Sequence, residues 1–325
     1  MLGSRRGCLP VIAATLLALA AFGWLLGGWW TAGPLEKETA FIVPDGASLA
    51  AVATKLEAEG AIASAESFRL RARLFSGGAP IKAGEFMLPK AASPSRILSI
   101  IQGDEVLRRF VTVPEGMPSI MVYERLMANP QLTGSIEVPP EGTVLPDTYE
   151  IERGESRQAV LRRMQAAMQR TLAELWARKA PGSVVKTPLE ALTLAAIVEK
   201  ETGKPSERRQ VAGLYSNRLR QGMLLQADPT FLYPITKGKP LGRRIYQSDI
   251  QANHRYNTYV WPGLPIGPIT NPGRESIAAV LNPAPTSALY MVADGTGGHK
   301  FADTLEQHNA NVERWYTIRK ERGDF

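Results

Sequence analysis

The segment from Leu189 to Gly203 constrains the fold more than any other stretch of the chain. Its apolar residues form two stripes at helical spacing: Leu189, Leu192 and Ala196 on one side, and Leu194, Ile197 and Val198 on the other. A helix with apolar stripes on two sides is buried nearly all round and therefore belongs to a core. We predict that Gly203 takes a left-handed position that ends this helix, and that Pro205 prevents its continuation.

Two acidic residues occupy the end of this helix and are not equivalent. At ~100° per residue, Glu199 and Glu201 point roughly 160° apart. Glu201 lies over the bulkier stripe of branched residues, whereas Glu199 lies over the other side of the helix. A carboxyl group against apolar side chains, at the negative end of a helix, should have a raised pKa, as a general acid near neutral pH requires. The alternative is an ordinary solvated helix end, and the rest of the chain must decide between them.

The composition limits the kinds of partner and cofactor. A length of 325 residues is typical of about two domains. The net charge of +7 and the pI near 9.5 favour an anionic partner, while the lack of a Lys/Arg run argues against a nucleic-acid module. The single cysteine, Cys8, rules out an intramolecular disulfide, and His254, His299 and His308 lack metal-ligand spacing. We therefore predict no metal and no organic cofactor.

An uncharged apolar run covers residues 8–30 and is long enough to cross a membrane. Arg5 and Arg6 precede this run, and Trp29 and Trp30 close it in the manner of an interfacial aromatic belt. We predict a cytoplasmic tail over residues 1–7, a single transmembrane helix over 8–30 and an outward-facing remainder. The alternative is a cleaved signal peptide. The small residues at 31–33 favour cleavage there, whereas the two tryptophans argue against it.

Residues 31–105 are predicted to form a small α+β module. Strands are expected at Thr39–Pro44 and Ala83–Leu88, and helices after the capping residues Ser48, Ser64 and Ser93. The order strand, helix, helix, strand resembles LysM-like glycan-binding modules, although a generic α+β fold has the same pattern. Residues 106–155 are predicted to form a second strand–helix unit with a linker rich in proline and glycine.

Residues 156–325 are predicted to form the main domain. A long amphipathic helix over Ser156–Lys179 leads into the core helix, and a further helix over Glu207–Arg220 is expected to be capped by Ser206 and stopped at Gly222. From Met223 onward, proline and glycine are frequent, which indicates a loop-rich region of the kind that carries functional sites. The predicted fold class is therefore α+β: a transmembrane helix, small LysM-like modules and a loop-rich domain on a helical scaffold.

Three segments of this domain share an order with a known group of enzymes. They are Val198–Thr202, Gly222–Thr230 and Tyr256–Tyr259. Together they resemble the lytic transglycosylases of the lysozyme-like group, which have Glu-Ser at a helix end, then a Gly-Leu-Met-Gln…Pro…Thr segment, then Tyr-Asn. Glu201-Thr202 matches the Glu-Ser pair, which favours Glu201 over Glu199 as the catalytic acid.

The resemblance is closer to the MltG (YceG-like) family of membrane-anchored endolytic murein transglycosylases. It covers almost the whole chain after the apolar run and is strongest over Ile197–Thr202, Val211–Thr230, Tyr256–Ile269 and Tyr290–His308. The resemblance implies cleavage of the bond between N-acetylmuramic acid and N-acetylglucosamine inside nascent glycan strands, with 1,6-anhydro ends and a role in terminating strand elongation. It also implies a bacterial inner-membrane protein that faces the periplasm and has glycan strands, membrane lipid and peptidoglycan synthases (penicillin-binding proteins) as partners.

The resemblance assigns the catalytic role to Glu201, which would act first as general acid and then as base. Substrate-binding roles go to Gln226, Tyr256, Asn257 and Tyr259, and supporting roles to Asn217, Asp228, Thr230 and His299. Amide groups can bind an N-acetyl carbonyl or orient a carboxyl group, and tyrosine rings can stack on sugars, but loop packing explains the same residues equally well. Asp228 and Asp294 are the candidates for a second acid, and each also fits a turn.

Two rival functions remain at this point. The first is a glycan-binding or scaffolding protein with an inactive cleft, which would leave Glu201 exposed and without a groove. The second is a muramidase that hydrolyses with two carboxyl groups, which would need Asp228 or Asp294 within ~5–9 Å of Glu201.

Overall fold

The structure is a computed structural model and describes residues 12–17, 19, 20, 23 and 27–323. Its contacts divide the chain into two compact units, the first ending at Arg109 and the second beginning at Phe110. The structure thus places residues 110–155 in the same unit as 156–325, whereas the sequence suggested separate segments. Each unit contains helices and two-stranded sheets, in agreement with the predicted α+β class.

The first unit has the predicted strand–helix–helix–strand order. Its elements are β1 (Thr39–Val43), α1 (Leu49–Ala58), α2 (Ala65–Phe75), β2 (Gly84–Leu88) and α3 (Pro94–Gln102). The two strands pair antiparallel, with Phe41 opposite Phe86 in the core. Ser48, Ser64 and Ser93 each accept a hydrogen bond from the backbone N–H three residues on, so the three predicted helix caps are confirmed. The glycan-binding role implied by the LysM-like pattern stays a prediction.

Ten of the 23 residues of the predicted transmembrane helix lie outside the described residues. Among those that are described, no helix is both long enough and apolar enough to span a bilayer. The predicted C-terminal end of the span at Trp30 is wrong, because residues 27–29 form a turn. Trp29 is buried in the core of the first unit, where its ring lies 5.7 Å from Phe68 and 6.0 Å from Phe75. Its aromatic surface thus packs inside a folded unit and not in an interfacial belt.

The second unit contains the remaining elements. They are β3 (Arg109–Thr112), α4 (Ser119–Ala128), β4 (Thr148–Ile151), α5 (Arg157–Ala177), α6 (Pro188–Glu201), α7 (Arg208–Arg220), α8 (Asp228–Thr236), α9 (Gln247–Ile250), α10 (Arg274–Leu281), β5 (Tyr290–Ala293), β6 (His299–Ala302) and α11 (Leu305–Arg322). β3 pairs with β4, and β5 pairs antiparallel with β6. Helices α8, α10 and α11 lie in the region that the sequence predicted as loop-rich.

Helix α6 is the centre of the second unit, as predicted. Every residue from Ala191 to Val198 is buried, and α7, α8 and α10 pack around the helix. Each fully buried large apolar side chain in it contributes about 1.5–3 kcal/mol of transfer free energy. The Thr187 hydroxyl accepts the Glu190 N–H at the start of the helix, and Pro188 occupies its first turn. The acidic end of α6 is therefore held rigidly by its own core contacts.

Two details of the predicted helix ends are wrong. Helix α6 ends at Glu201 because Thr202 is already extended, and Gly203 does not adopt a left-handed conformation. Ser206 does not cap α7; it lies inside a short 3-10 turn, and the N-terminus of α7 has no side-chain cap. The predicted stop at Gly222 is confirmed, since this glycine follows α7 with φ of +66°.

Candidate active site

A cavity of about 320 Å3 lies at the C-terminal end of α6. Its wall includes Glu201 from α6, Tyr215 and Arg218 from α7, Gln226 and Asp228 around the start of α8, and Met291 from β5. Tyr215 and Arg218 are three residues apart on one face of α7, so the helix turns both side chains toward α6. The cavity therefore combines acidic, cationic and hydrogen-bonding groups from three consecutive helices, with Met291 added from β5.

The carboxyl group of Glu201 faces the cavity and is mostly shielded from solvent. Its Oε1 atom is buried and has no hydrogen-bond partner among the described residues. Burial raises the pKa of Glu201 to about 7, and the negative charge of Asp228 acts in the same direction. The Tyr215 hydroxyl and the Arg218 guanidinium oppose this effect and lower the pKa. The raised pKa that the sequence predicted is thus present, with burial as its main cause.

Arg218 is a buried cation that the sequence analysis did not single out. Its guanidinium donates to the carbonyl oxygens of Leu289, Leu224 and Leu225 and to Oε1 of Gln226, over 2.6–3.2 Å. No carboxylate lies within 4.0 Å of it in the described part of the chain. The sequence did contain a feature that indicates a buried arginine, because Arg218 interrupts the apolar face of α7 formed by Val211, Leu214 and Tyr215.

Asp228 is a second carboxyl group on the same cavity. It begins α8, is exposed, and accepts a hydrogen bond from the Tyr259 hydroxyl. Tyr259 is half-buried against the edge of Phe231, with ring centroids 5.5 Å apart. Burial and the neighbouring Asp228 raise the pKa of Tyr259 well above its ordinary value, so its hydroxyl remains a proton donor. The structure thus brings Asp228, which was predicted to have a supporting role, onto the cavity with Glu201, and Tyr259 holds it from outside the cavity.

Gln226 also reaches the cavity, with its backbone in the left-handed region at φ of +53°. This conformation is held by a hydrogen bond from its N–H to the Thr258 carbonyl at 3.1 Å. Its amide oxygen accepts from Arg218, which leaves the exposed amide nitrogen available to a ligand. Strained backbone at a residue that faces a cavity is typical of functional sites.

Three of the other predicted residues hold the loops together and do not line the cavity. Asn257 is completely buried, donates to the Ile250 and Ala252 carbonyls at 2.8 Å and accepts from the Tyr259 N–H. Thr230 is buried and bonds to the Ala227 carbonyl and the Thr258 hydroxyl. Tyr256 packs on Tyr233, with centroids 4.9 Å apart. The positions of Asn257 and Tyr256 in the structure therefore favour a role in holding loops over the direct sugar contacts that the sequence predicted.

The remaining predicted residues bind other parts of the protein. Asn217 donates to the Thr286 and Ala288 carbonyls at 2.7 and 3.1 Å. His299 contacts Glu207 through both its ring Nδ1 and its backbone N–H, at 2.9 and 3.1 Å. Burial acts to raise the pKa of Glu207, but the hydrogen bonds from His299 keep this pKa below its ordinary value. Asp294 accepts two bonds from Thr296 and is a turn residue, as predicted.

Glu199 lies on the other face of α6, as the helical geometry predicted. Its side chain is only 5 % exposed, accepts the Gly273 N–H at 2.9 Å and lies 3.6 Å from the guanidinium of Arg208. Arg208 also bonds to Glu115. Glu199 therefore joins α6 to the start of α7 and of α10, and its carboxyl group is satisfied where that of Glu201 is not.

No group of three or more His, Cys, Asp or Glu side chains within the described ranges is arranged to hold a metal ion. The groups that face the cavity are one acid of raised pKa, a second carboxylate, a guanidinium, an ammonium group, an amide and a phenol. This set can donate and accept protons and can bind a polar, uncharged ligand through hydrogen bonds.

Comparisons with known proteins agree on one family. The sequence profile described as the YceG-like family matches residues 41–314. A curated protein of Bacillus subtilis named endolytic murein transglycosylase is 26 % identical, with 89 % of each chain covered. A protein of the same name from Streptococcus pneumoniae is 27 % identical over 83 % of this chain, which spans 57 % of that longer relative. A crystal structure of a yceG-like protein from Listeria monocytogenes has a TM-score of 0.54 and 25 % identity, covering 84 % of this chain and 98 % of the other.

Proposed function

The chain belongs to the YceG-like family, and from this membership and the surroundings of Glu201 we propose that it is an endolytic lytic transglycosylase of peptidoglycan. The names of the curated relatives support an enzyme that cleaves murein by transglycosylation. The observation that carries the finer proposal is a cavity with a mostly buried carboxyl group, one of whose oxygens has no partner and whose pKa is about 7. At neutral pH such a group exists in both protonation states, so it can give a proton and take one back.

In the proposed reaction Glu201 protonates the oxygen between N-acetylmuramic acid and N-acetylglucosamine, and the bond from that oxygen to C1 breaks. The resulting carboxylate then takes the proton of the muramic acid C6 hydroxyl, whose oxygen attacks C1. The products are a free 4-hydroxyl and a 1,6-anhydro end, and no water is consumed. Arg218 favours this cycle because its positive charge stabilises the glutamate anion that forms after proton donation.

Other groups on the cavity support substrate binding. The free amide nitrogen of Gln226 can donate to an N-acetyl carbonyl, and Tyr259 keeps Asp228 in place through its hydroxyl. Asp228 is then available to stabilise positive charge at C1 as the bond breaks. Asn217, Thr230, Asn257 and His299 act through the positions of the loops and not through contact with sugar.

A hydrolytic muramidase is the second candidate, because Asp228 faces the same cavity as Glu201. Two-carboxylate hydrolysis needs a water or a covalent intermediate at C1. Digestion of purified murein in water enriched in oxygen-18, followed by mass spectrometry of the muropeptides, separates the two. Unlabelled 1,6-anhydro ends support the proposal, whereas reducing ends that carry oxygen-18 would replace it with hydrolysis.

We also propose that the protein is held in the bacterial inner membrane by a single span and faces the periplasm. The support is the uncharged apolar run within residues 8–30 and the two arginines that precede it. Membrane lipid, glycan strands and peptidoglycan synthases would then be its partners, with a role in ending strand elongation. An alkaline phosphatase fused to the C-terminus should be active; activity of a cytoplasmic reporter alone at that position would reverse the orientation.

A further inference from the structure

A second cavity of about 440 Å3 adjoins the one that contains Glu201. Lys200 and Pro229 line both cavities, so the two lie side by side at these residues. The larger cavity lies between the N-terminal part of α4, helix α8 and the loop that follows α8. Its wall is mainly apolar and includes Met117, Met121, Leu232 and Leu241.

The charges on this wall are not balanced. Glu115 is bound by Arg208, and Lys239 is bound by Glu124. Lys200 is exposed, and no carboxylate lies within 4 Å of its ammonium group in the part of the chain that the structure describes. One uncompensated cation therefore stands where the two cavities meet, and it favours an anionic ligand group there.

The inference that follows rests on the proposed function, which places a muramic acid residue next to Glu201. In peptidoglycan the lactyl group of that sugar carries a short peptide, which has small apolar side chains and free carboxylates. A peptide attached to the sugar at Glu201 leaves the catalytic cavity through one of its walls. The wall formed by Lys200 and Pro229 opens into a space that has the apolar surface and the cation that such a peptide needs.

We propose that the cavity between α4 and α8 is a subsite for the stem peptide of the muramic acid residue bound at Glu201. Lys200 pairs with a carboxylate of the peptide, and the side chains of Met121, Leu232 and Leu241 contact its small apolar groups. The site couples recognition of the peptide to the cleavage of the sugar strand. The enzyme therefore prefers strands that still carry their peptides over strands from which they have been removed.

The test compares two substrates: glycan strands with intact stem peptides, and the same strands stripped by an N-acetylmuramoyl-L-alanine amidase. The wild-type protein should cleave the intact strands with a KM about tenfold lower, the size expected for one charge-assisted contact. Met121→Trp fills the cavity and should raise the KM for intact strands toward the value for stripped strands. Leu241→Trp fills it from a loop and provides the same test if Met121→Trp does not fold.

Ile235→Trp is the matched control, because Ile235 is an exposed residue of α8 that does not line the cavity. It should leave both KM values unchanged. Equal KM values of the wild-type protein for the two substrates would overturn the subsite, as would a cavity-filling variant that raises both KM values by the same factor.

A binding measurement keeps this result separate from the catalytic proposal. Calorimetry with the full-length Glu201→Gln protein compares a disaccharide–tetrapeptide muropeptide with the same disaccharide without its peptide. Tighter binding of the muropeptide, lost in the double variant with Met121→Trp, supports the subsite even if no strand is cleaved. Equal binding of the two compounds rejects it even if the protein proves to be a transglycosylase.

Discussion

Glu199 and Glu201 end the same helix two residues apart, yet the two regions around them differ in their access to a cavity and in how far they satisfy the carboxyl group. The region around Glu199 is closed: its carboxylate has a backbone N–H and a guanidinium as partners and links three helices. The region around Glu201 is open to a cavity and leaves one carboxyl oxygen buried without a partner. A satisfied buried acid stabilises a fold, whereas an unsatisfied one costs stability and is retained where chemistry uses it.

The largest expected effect comes from removing the acid that faces the cavity. Glu201→Gln keeps the shape of the side chain but cannot transfer a proton, so kcat on purified murein should fall by ~10²–10⁴-fold or more. Glu199→Gln should reduce kcat far less, because its face of α6 does not reach the cavity. Muropeptide release, with folding checked by circular dichroism, measures both. Loss of activity in Glu199→Gln with full activity in Glu201→Gln would refute the distinction between the two regions.

For stability, replacing Glu199 is expected to have a larger effect than replacing Glu201. Glu199→Ala removes the acceptor of the Gly273 N–H and one partner of Arg208, and should lower the free energy of unfolding by about 2–4 kcal/mol. Arg208 keeps Glu115 as a partner, which limits the loss. Glu199→Gln retains an acceptor oxygen and should lose less than the alanine variant. Denaturant unfolding measures these changes; a Glu199→Ala protein as stable as the wild type would mean that the closed region is not structural.

The raised pKa of Glu201 predicts a stability difference that depends on pH. Burial favours the protonated acid, so the contribution of Glu201 is fully present below about pH 4.5 and is lost as the pH rises through about 7. Glu201→Gln does not suffer this loss, so above pH 7 it should be the more stable protein, by no more than about 3 kcal/mol. Unfolding curves at pH 4.5 and pH 8 test this. A constant difference between the two proteins would contradict a raised pKa.

The pH dependence of activity also depends on the protonation state of Glu201. Glu201 must hold a proton to act as general acid, so kcat/KM should fall on the alkaline side with a midpoint near pH 7. A profile without an alkaline limb would assign the proton transfer to another residue. Rates on purified murein between pH 5 and 9 provide the measurement.

The smallest expected effect concerns the neighbour of Glu201. Asp228→Asn removes a negative charge that raises the pKa of Glu201 and stabilises positive charge at C1. The alkaline limb should therefore move to lower pH and kcat should fall less than in Glu201→Gln, while anhydro ends are still formed. Tyr259→Phe, which removes only the bond to Asp228, is the matched control and should move the limb less. Loss of activity in Asp228→Asn as severe as in Glu201→Gln would favour the two-carboxylate hydrolase.

Local patterns predicted much of the scaffold because they depend on neighbours in sequence. The three serine caps of the first unit and the burial of α6 followed from hydroxyl groups and apolar spacing a few residues apart. Gly203 shows the limit of such reasoning. A glycine after a helix permits a left-handed cap but does not require one, and here Thr202 bonds to Glu207 and Lys204 in an extended conformation instead.

The residues predicted to bind sugar show a second limit. Gln226 and Asn257 carry the same amide group, and the sequence could not tell one from the other. In the folded chain Asn257 uses all its polar atoms to hold a loop, while Gln226 is left with a free donor on the cavity. Trp29 shows a third limit, because a tryptophan at the end of an apolar run suits a membrane interface and a protein core alike.

The core helix, the opposite directions of Glu199 and Glu201 and the family to which the chain belongs could all be predicted from the amino-acid order, since helical periodicity and motif order are local or linear properties. Which polar groups remain without partners became known only from the folded chain. Arg218 and Asp228 join Glu201 because α7 and α8 pack against α6, and the cavity lined by Met121 is formed jointly by α4 and α8. Burial and hydrogen-bond satisfaction depend on all neighbours at once, and these neighbours come from separate elements of the chain, such as Met291 of β5 at the Glu201 cavity and Met121 of α4 at the other.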